Sequence, residues 1–164
     1  EYTTKIYKDV KLLKINELKA MINKLRLSNE TIVMTNGVFD VIHSGHIEFL
    51  EEAKKLGSKL IVAINTDESV RRIKGKKRPI NDLYNRISVL SSIRFIDYIV
   101  VFNEVTPKKL YSTVTPDILV KGGDYKINQI VGSTNVLRNG GKVISLKYKK
   151  NLSTSIIAHK ILEL

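Results

Sequence analysis

Apolar residues in this chain follow two alternating patterns. Short, near-continuous runs rich in Ile, Val and Leu stand at residues 31–35 (TIVMT), 59–64 (KLIVAI), 98–102 (YIVVF), 117–120 (DILV) and 142–146 (KVISL). Such runs mark strands, and those at 59–64 and 98–102 are of the kind buried on both faces. The stretches between them carry apolar residues at helical spacing. Leu18, Met21, Ile22 and Leu25 follow a cap at Asn16, after a short mixed run at 6–13. Phe49, Leu50, Ala53 and Leu56 share one face of a helix that starts near His46 and ends on Gly57. Leu83, Ile87, Leu90 and Ile93 follow Pro79 and a cap at Asn81 or Asp82, and Leu110, Tyr111 and Val114 follow Thr106-Pro107, read as a cap and first-turn proline. A short helix is predicted over 127–137, closed by Asn139-Gly140-Gly141, and a last one is capped by Ser153 with Ile156, Ile157 and Ile161 inward.

Strands alternating with helices, without long linkers or repeats, predict an α/β fold: a Rossmann-like, doubly wound sheet of about five parallel strands with helices on both faces. One domain is expected over 1–164, with 1–29 as an extension and packing helix and 30–164 as the core. Ligands of such sheets bind beyond the carboxyl ends of the strands, where strand order reverses. The informative residues are therefore those each strand runs into. These are Thr35-Asn36-Gly37, then Asn65-Thr66-Asp67, then Lys121-Gly122-Gly123-Asp124, with Ser153-Thr154-Ser155 at the start of the last helix. All are polar, glycine-bearing or capping, and the topology sends them to one edge.

Composition narrows the choice modestly. With 164 residues, 43% hydrophobic and 27% charged, the chain has enough apolar side chains for one substantial core. It has no cysteine, which excludes disulfides, thiolate metal sites and a cysteine nucleophile, and suits a reducing, cytoplasmic setting. Its apolar runs reach about six residues, against roughly 20 for a membrane-spanning helix. Because it begins with Glu1, it is expected to be a trimmed chain or a piece of a longer one. The formal charge of +12 admits a solvated lysine-rich surface, a polyanionic small molecule or a nucleic acid. Basic residues are spread along the chain without aromatic interleaving, so nucleic acid is the least favoured of the three.

Candidate chemistry centres on residues 31–57, where two of the three histidines fall on one strand-to-helix turn, His43-Ser44-Gly45-His46. A helix N-terminus offers free N–H groups and a positive dipole end to an anion. Gly45 lets a phosphate approach the backbone, His46 enters the first helical turn and His43 stands opposite. Two imidazoles and a helix dipole suit the charge that develops on a phosphorus under attack. Neither a Walker loop nor GxGxxG is present, so this turn must serve any phosphate. Metal binding by the two histidines is the competing reading, disfavoured by the absence of HExxH and of cysteine; no metal ligands are assigned. Asp40 reads as orienting the turn by hydrogen bonds or meeting substrate, and Asn65 and Asp67 either end a strand or reach substrate. The basic stretch of Arg71, Arg72, Lys74, Lys76, Lys77 and Arg78 is either a solvated face or a lid clamping a triphosphate, with Lys74 and Arg78 as its foremost members. Arg86 either joins them or pairs with an acid. Gly122-Gly123 allows close backbone approach, and His159 is read as structural.

The motifs TNGVFDVIHSGH at 35–46, NTDESVRRIKGKKRPIN at 65–81, DILVKGGDY at 117–125 and LSTSIIAHKI at 152–161 resemble those of the HxGH nucleotidyltransferase superfamily. Within it they resemble the heptose 1-phosphate adenylyltransferases that make ADP-heptose for lipopolysaccharide, over nearly the whole chain. The resemblance implies attack of a sugar 1-phosphate on the α-phosphorus of ATP, with loss of magnesium-bound pyrophosphate. It implies that His43, His46 and Lys74 act in catalysis, and that Thr35, Asn36, Gly37, Phe39, Gly45, Arg78, Gly122, Asp124, Ser153 and Thr154 line the nucleotide. Asp40, Asn65, Asp67 and Arg86 are expected at the sugar substrate. Also implied are Mg2+ carried by the triphosphate, a homodimer, and neither nucleic-acid nor membrane partners. The chain is expected to be a stand-alone transferase or the second half of a protein whose first half is a sugar kinase. Related cytidylyltransferases carry Arg-Thr-Glu-Gly where this chain has Lys149-Lys150-Asn151-Leu152, which argues against cytidine; Ser155 replaces a commoner threonine and keeps the hydroxyl. The alternatives are a cytidylyltransferase for a small phosphorylated alcohol such as glycerol 3-phosphate, and a non-catalytic module binding nucleotide or nucleic acid.

Overall fold

The computed structural model describes residues 11–147 together with Ile156, Ile157, Ile161 and Glu163. Six strands form one sheet: β1 (Leu12–Leu13), β2 (Ile32–Gly37), β3 (Lys59–Asn65), β4 (Tyr98–Phe102), β5 (Ile118–Gly122) and β6 (Lys142–Leu146). Their order is β1-β4-β3-β2-β5-β6 and every pairing is parallel. The helices are α1 (Ile15–Leu27), α2 (Ser44–Lys55), α3 (Asp67–Lys74), α4 (Leu83–Ser91), α5 (Lys108–Val114) and α6 (Ser133–Arg138), with a short 3-10 turn at Ile127–Gln129. The chain winds outward from β2 through β3 to β4, then returns to place β5 on the other side of β2. Strand order therefore reverses between β2 and β5, the position where such sheets open a crevice.

Alternation along the strands fills two separate cores. On one face Ile32, Met34, Ile61, Ala63, Val100 and Leu119 meet Leu18, Ile22, Leu110, Tyr111 and Val136 from α1, α5 and α6. On the other, Val33, Leu60, Val62, Ile64, Ile99 and Val120 meet Phe49, Leu50, Ala53, Ile87 and Leu90 from α2 and α4. Burial on both faces explains why the central strands read as unbroken apolar runs rather than alternating ones. At the amino edge of the sheet, carboxylates take up free strand N–H groups. Asp97 accepts from Leu60 N at 2.7 Å and from Lys54 Nζ at 2.6 Å, and Asp117 accepts from Ile32 N at 2.8 Å.

The structure departs from the expected elements in five places, each with a local cause. A sixth strand exists because Leu12 and Leu13 pair with Ile99 and Val100 at the sheet edge, too short a segment to show a period. The helix expected to be capped by Asn16 begins at Ile15; Glu17 reaches back to accept from Lys14 N at 2.7 Å, so Asn16 lies inside the first turn. The first long strand, expected over 31–35, extends through Asn36-Gly37, which pair in register with Ala63 and Ile64. The helix expected over 127–137 is split at Gly132, whose φ of +88° no helix accepts and whose missing Cβ would stand 2.4 Å from the Tyr111 ring. Pro107 stands one residue ahead of α5, its carbonyl accepting from Tyr111 N at 2.9 Å. The last helix, with Ser153 and Thr154 at its predicted start, lies outside the described residues.

Candidate functional site

At the carboxyl edge of β2 and β5 the structure opens a cleft of about 230 Å³. Asn36, Gly37, Phe39, Asp40, His46, Lys74 and Gly122, all predicted site residues, line it, joined by Val38, Phe49, Lys121 and Tyr125. Gly37 is required here, since a Cβ on it would lie 2.8 Å from the Phe39 ring. Phe39 itself takes a left-handed φ of 50° and is buried, folding the chain sharply between β2 and α2.

The two histidines flank the first turn of α2. His43 occupies the N-cap position and His46 the third helical position, with ring centroids 4.0 Å apart; Phe39 stands 5.5 Å from the His46 ring. His43 N donates to His46 Nδ1 at 3.4 Å. Because Nδ1 accepts, the proton of the neutral ring sits on Nε2. Burial, then the neighbouring His43 and Lys74, push the His46 pKa down to about 4, and burial also lowers that of His43. The His46 imidazole is therefore neutral near pH 7. His43 Nδ1 and Thr35 Oγ1 are buried without a protein hydrogen-bond partner, and Gly45 is buried in the turn between the histidines.

The residues around this turn divide into two groups. Asp40, 4% exposed, accepts from Ile80 N at 2.8 Å and Asn81 N at 2.8 Å, and pairs with Arg78 Nε at 3.1 Å. It thereby ties the segment after α3 to the turn, and Arg78 is held beside the turn rather than lining the cleft. Behind the cleft, Arg86 is 1% exposed and donates to Val38 O at 2.8 Å, Asn65 O at 2.8 Å and Asp67 Oδ1 at 2.6 Å. Asn65 is buried and donates through Nδ2 to Ser69 Oγ at 2.9 Å. Arg86, Asn65 and Asp67 thus form a lock joining the ends of β2 and β3 to the start of α3. In this state they meet protein groups and do not line the cleft. The first half of the basic stretch is helix α3, capped by Thr66 Oγ1 accepting from Ser69 N at 3.1 Å, and this helix delivers Lys74 to the cleft. Asp124 is exposed and outside the cleft lining, and Ser153 and Thr154 lie outside the described residues.

The strand-end pattern included Lys121 but gave it no role of its own. Its Nζ donates to Asn36 O at 3.2 Å and Asn36 Oδ1 at 3.1 Å, in the cleft that Lys74 also lines. Tyr111 Oη donates to the same Oδ1 at 3.0 Å. The available signal was its place: a lone lysine ending an apolar strand just before Gly122-Gly123. Among the described residues no cluster of three or more His, Cys, Asp or Glu side chains could hold a metal ion. No described helix is long and apolar enough to cross a membrane.

A switch-point cleft lined by Lys74 and Lys121, beside a helix N-terminus bearing two imidazoles, suits a nucleotidyltransferase domain on a Rossmann-like sheet. A family model described as cytidylyltransferase-like matches residues 34–160, and the chain belongs to that family. It is 51% identical over 149 residues to "Bifunctional protein HldE" of Actinobacillus succinogenes, covering 91% of this chain and 31% of the relative. Against the protein of the same name from Coxiella burnetii the identity is 54% over 137 residues, covering 84% and 29%. The chain thus spans about a third of the length of these curated relatives. Among solved structures, the lipopolysaccharide core biosynthesis protein of Thermoplasma volcanium is 33% identical with a TM-score of 0.60, covering 75% of this chain and 99% of that one. A pantoate-beta-alanine ligase from Francisella tularensis, 17% identical with a TM-score of 0.64 and covering 93% and 78%, shares the fold.

Proposed function

We propose that this domain transfers AMP from ATP to a heptose 1-phosphate, releasing pyrophosphate and forming ADP-heptose for lipopolysaccharide core or a related heptose glycan. The observation that carries the reading is the His46 turn. His46, in the first turn of α2 and with a neutral imidazole, lines the same cleft as Lys74 from the next crossover. Identity of about half to the HldE relatives over most of this chain supports the heptose substrate, as does likeness to a lipopolysaccharide core biosynthesis protein.

In the proposed reaction an oxygen of the sugar phosphate forms a bond to the α-phosphorus while the bond to the β-phosphate oxygen breaks. The electron pair leaves on pyrophosphate. No covalent enzyme intermediate is needed, because such transfers rest on positioning and charge stabilisation. His46 and His43 face the oxygens of the α-phosphate, where donors preorganised at a helix N-terminus gain strength as charge develops. Lys74 holds the departing phosphates, and the Asn36 to Phe39 backbone lines the nucleotide. Gly122 and Asp124 bear on the nucleoside, and Ser153 and Thr154 on the phosphates. In this reading the triphosphate would carry magnesium, which would supply charge shielding for the leaving group. The protein acts in the cytoplasm as a homodimer in this reading.

A pyrophosphate-release screen tests it, with four nucleoside triphosphates against a panel of sugar and polyol phosphates. Release with ATP and heptose 1-phosphate is expected. Release with CTP alone would replace this reading with a cytidylyltransferase acting on a small phosphorylated alcohol. No release with any pair, joined to salt-dependent binding of DNA or RNA, would make the domain a binding module.

A further inference from the structure

We infer that Lys121 is a second phosphate-binding cation of this cleft, contacting a phosphoryl oxygen of the bound substrate from the β5 side while Lys74 acts from the α3 side. The inference rests on the cleft being a phosphate site and does not depend on which sugar or base is used.

The position of Lys121 is costly unless an anion joins it. Its ammonium is drawn down between β2 and β5, and none of the ion pairs among the described residues includes it. An ammonium withdrawn from water without a counter-charge is unfavourable. Burial first, then the nearby Lys74, lowers the Lys121 pKa from the ordinary lysine range. Charged and titratable groups facing it are Lys74 from α3, His46 from α2 and, through Asn36, Tyr111 from α5. Asp40 is the one acid in the lining, and its carboxylate is already taken by Ile80 N, Asn81 N and Arg78.

Holding Asn36 does not explain a lysine here. Tyr111 Oη already donates to Asn36 Oδ1, and the hydrogen bonds Lys121 makes to Asn36 are ones an uncharged amide donor could make. Those two bonds leave the third N–H of the ammonium for a ligand in the cleft. Two cations in one cleft, which the neutral His46 also lines, suit a phosphate or diphosphate.

Inorganic pyrophosphate and ATP serve as probes, titrated calorimetrically into the full chain and into Lys121→Met, Lys121→Gln and Lys121→Arg, with melting temperatures measured alongside. Loss of one charge-assisted hydrogen bond should weaken pyrophosphate binding about tenfold or more in the Met and Gln variants, while Arg retains affinity. Affinity of the unsubstituted protein should fall as pH rises through the lowered titration range of Lys121, and Lys121→Arg should abolish that fall. Unchanged affinity in the folded Met or Gln variant overturns the inference. If those variants do not fold, the Arg profile decides: a flattened alkaline limb supports it and an unaltered one overturns it. Failure of the unsubstituted protein to bind pyrophosphate overturns the phosphate cleft and Lys121 together. Failure of heptose phosphate as substrate, with pyrophosphate binding intact, leaves Lys121 standing and removes only the sugar assignment.

Discussion

Replacing Arg86 by Met separates the two roles open to this residue, substrate contact and internal lock. Arg86 is 1% exposed and makes hydrogen bonds to two main-chain carbonyls and to Asp67, whose side chain is 26% exposed. Removing one member of a buried ion pair costs about 3–5 kcal/mol when the survivor stays buried. Asp67 lies nearer the rim, which trims that cost, whereas the orphaned Val38 and Asn65 carbonyls each add about 1 kcal/mol. The sum is about 4 kcal/mol. For a chain of this size each kcal/mol shifts the melting temperature by roughly 2–4 °C, so Arg86→Met should melt roughly 8–16 °C lower. Lys in its place keeps the charge but not the planar fork, and should fall between the two. Thermal unfolding by circular dichroism, paired with KM for the sugar phosphate, decides the matter. A melting temperature within about 2 °C of the parent together with a raised KM would refute the lock and make Arg86 a substrate ligand.

Two further predictions concern His46. His46→Ala should lower kcat by about 10² or more while changing ATP affinity much less, since the contact strengthens only as charge develops; equal losses in both would contradict that role. The imidazole also couples stability to pH. Its folded pKa is depressed from 6.5 to about 4, so as pH falls from 6.5 toward 4 the unfolded chain takes up a proton that the folded chain refuses. The contribution to stability is full above 6.5 and lost as pH falls through that window. Melting temperatures of the parent and of His46→Gln, compared at pH 7 and pH 5, should show the parent losing more; an identical drop in both would refute the depressed imidazole.

Elements buried on both faces were the most legible part of the chain, because burial leaves a run of Ile, Val and Leu that no other state tolerates. KLIVAI at 59–64 became β3 almost residue for residue. Boundaries were less legible where a cap was decided by reach rather than residue type. Asn16 is a good cap by type, yet Glu17 could fold back onto Lys14 N and the helix started earlier. The edge strand at Leu12–Leu13 left no trace, since two residues carry no period and the pairing is supplied by β4. Gly132 was visible as a glycine but not as a helix break, because its positive φ answers to the Tyr111 ring, 21 positions away in the chain.

The site was legible to the extent that its chemistry stands at the ends of strands. Parallel pairing alone carries Asn36, Asn65 and Gly122 to one edge, and the His43 to His46 turn follows because α2 must start there. What strand-end reasoning misses is the difference between a residue that faces the ligand and one that holds the wall. Arg78 and Arg86 share charge and sequence neighbourhood with Lys74, yet Asp40 and Asp67 have drawn them onto protein partners while Lys74 remains at the cleft. Pattern cannot sort these cations, because the sorting depends on which carboxylates come within reach after folding. The same rule explains why Lys121, seen at a strand end, was assigned no role: one lysine among many carries little signal in a chain of net charge +12. Folding places it beside Asn36 at the one point where strand order reverses. A cation's functional weight in this domain is thus set by the anion it lacks. In the proposed reaction that criterion picks out Lys74 and Lys121, which line the cleft, as the phosphate-binding cations, whereas Arg78 and Arg86 are paired with Asp40 and Asp67.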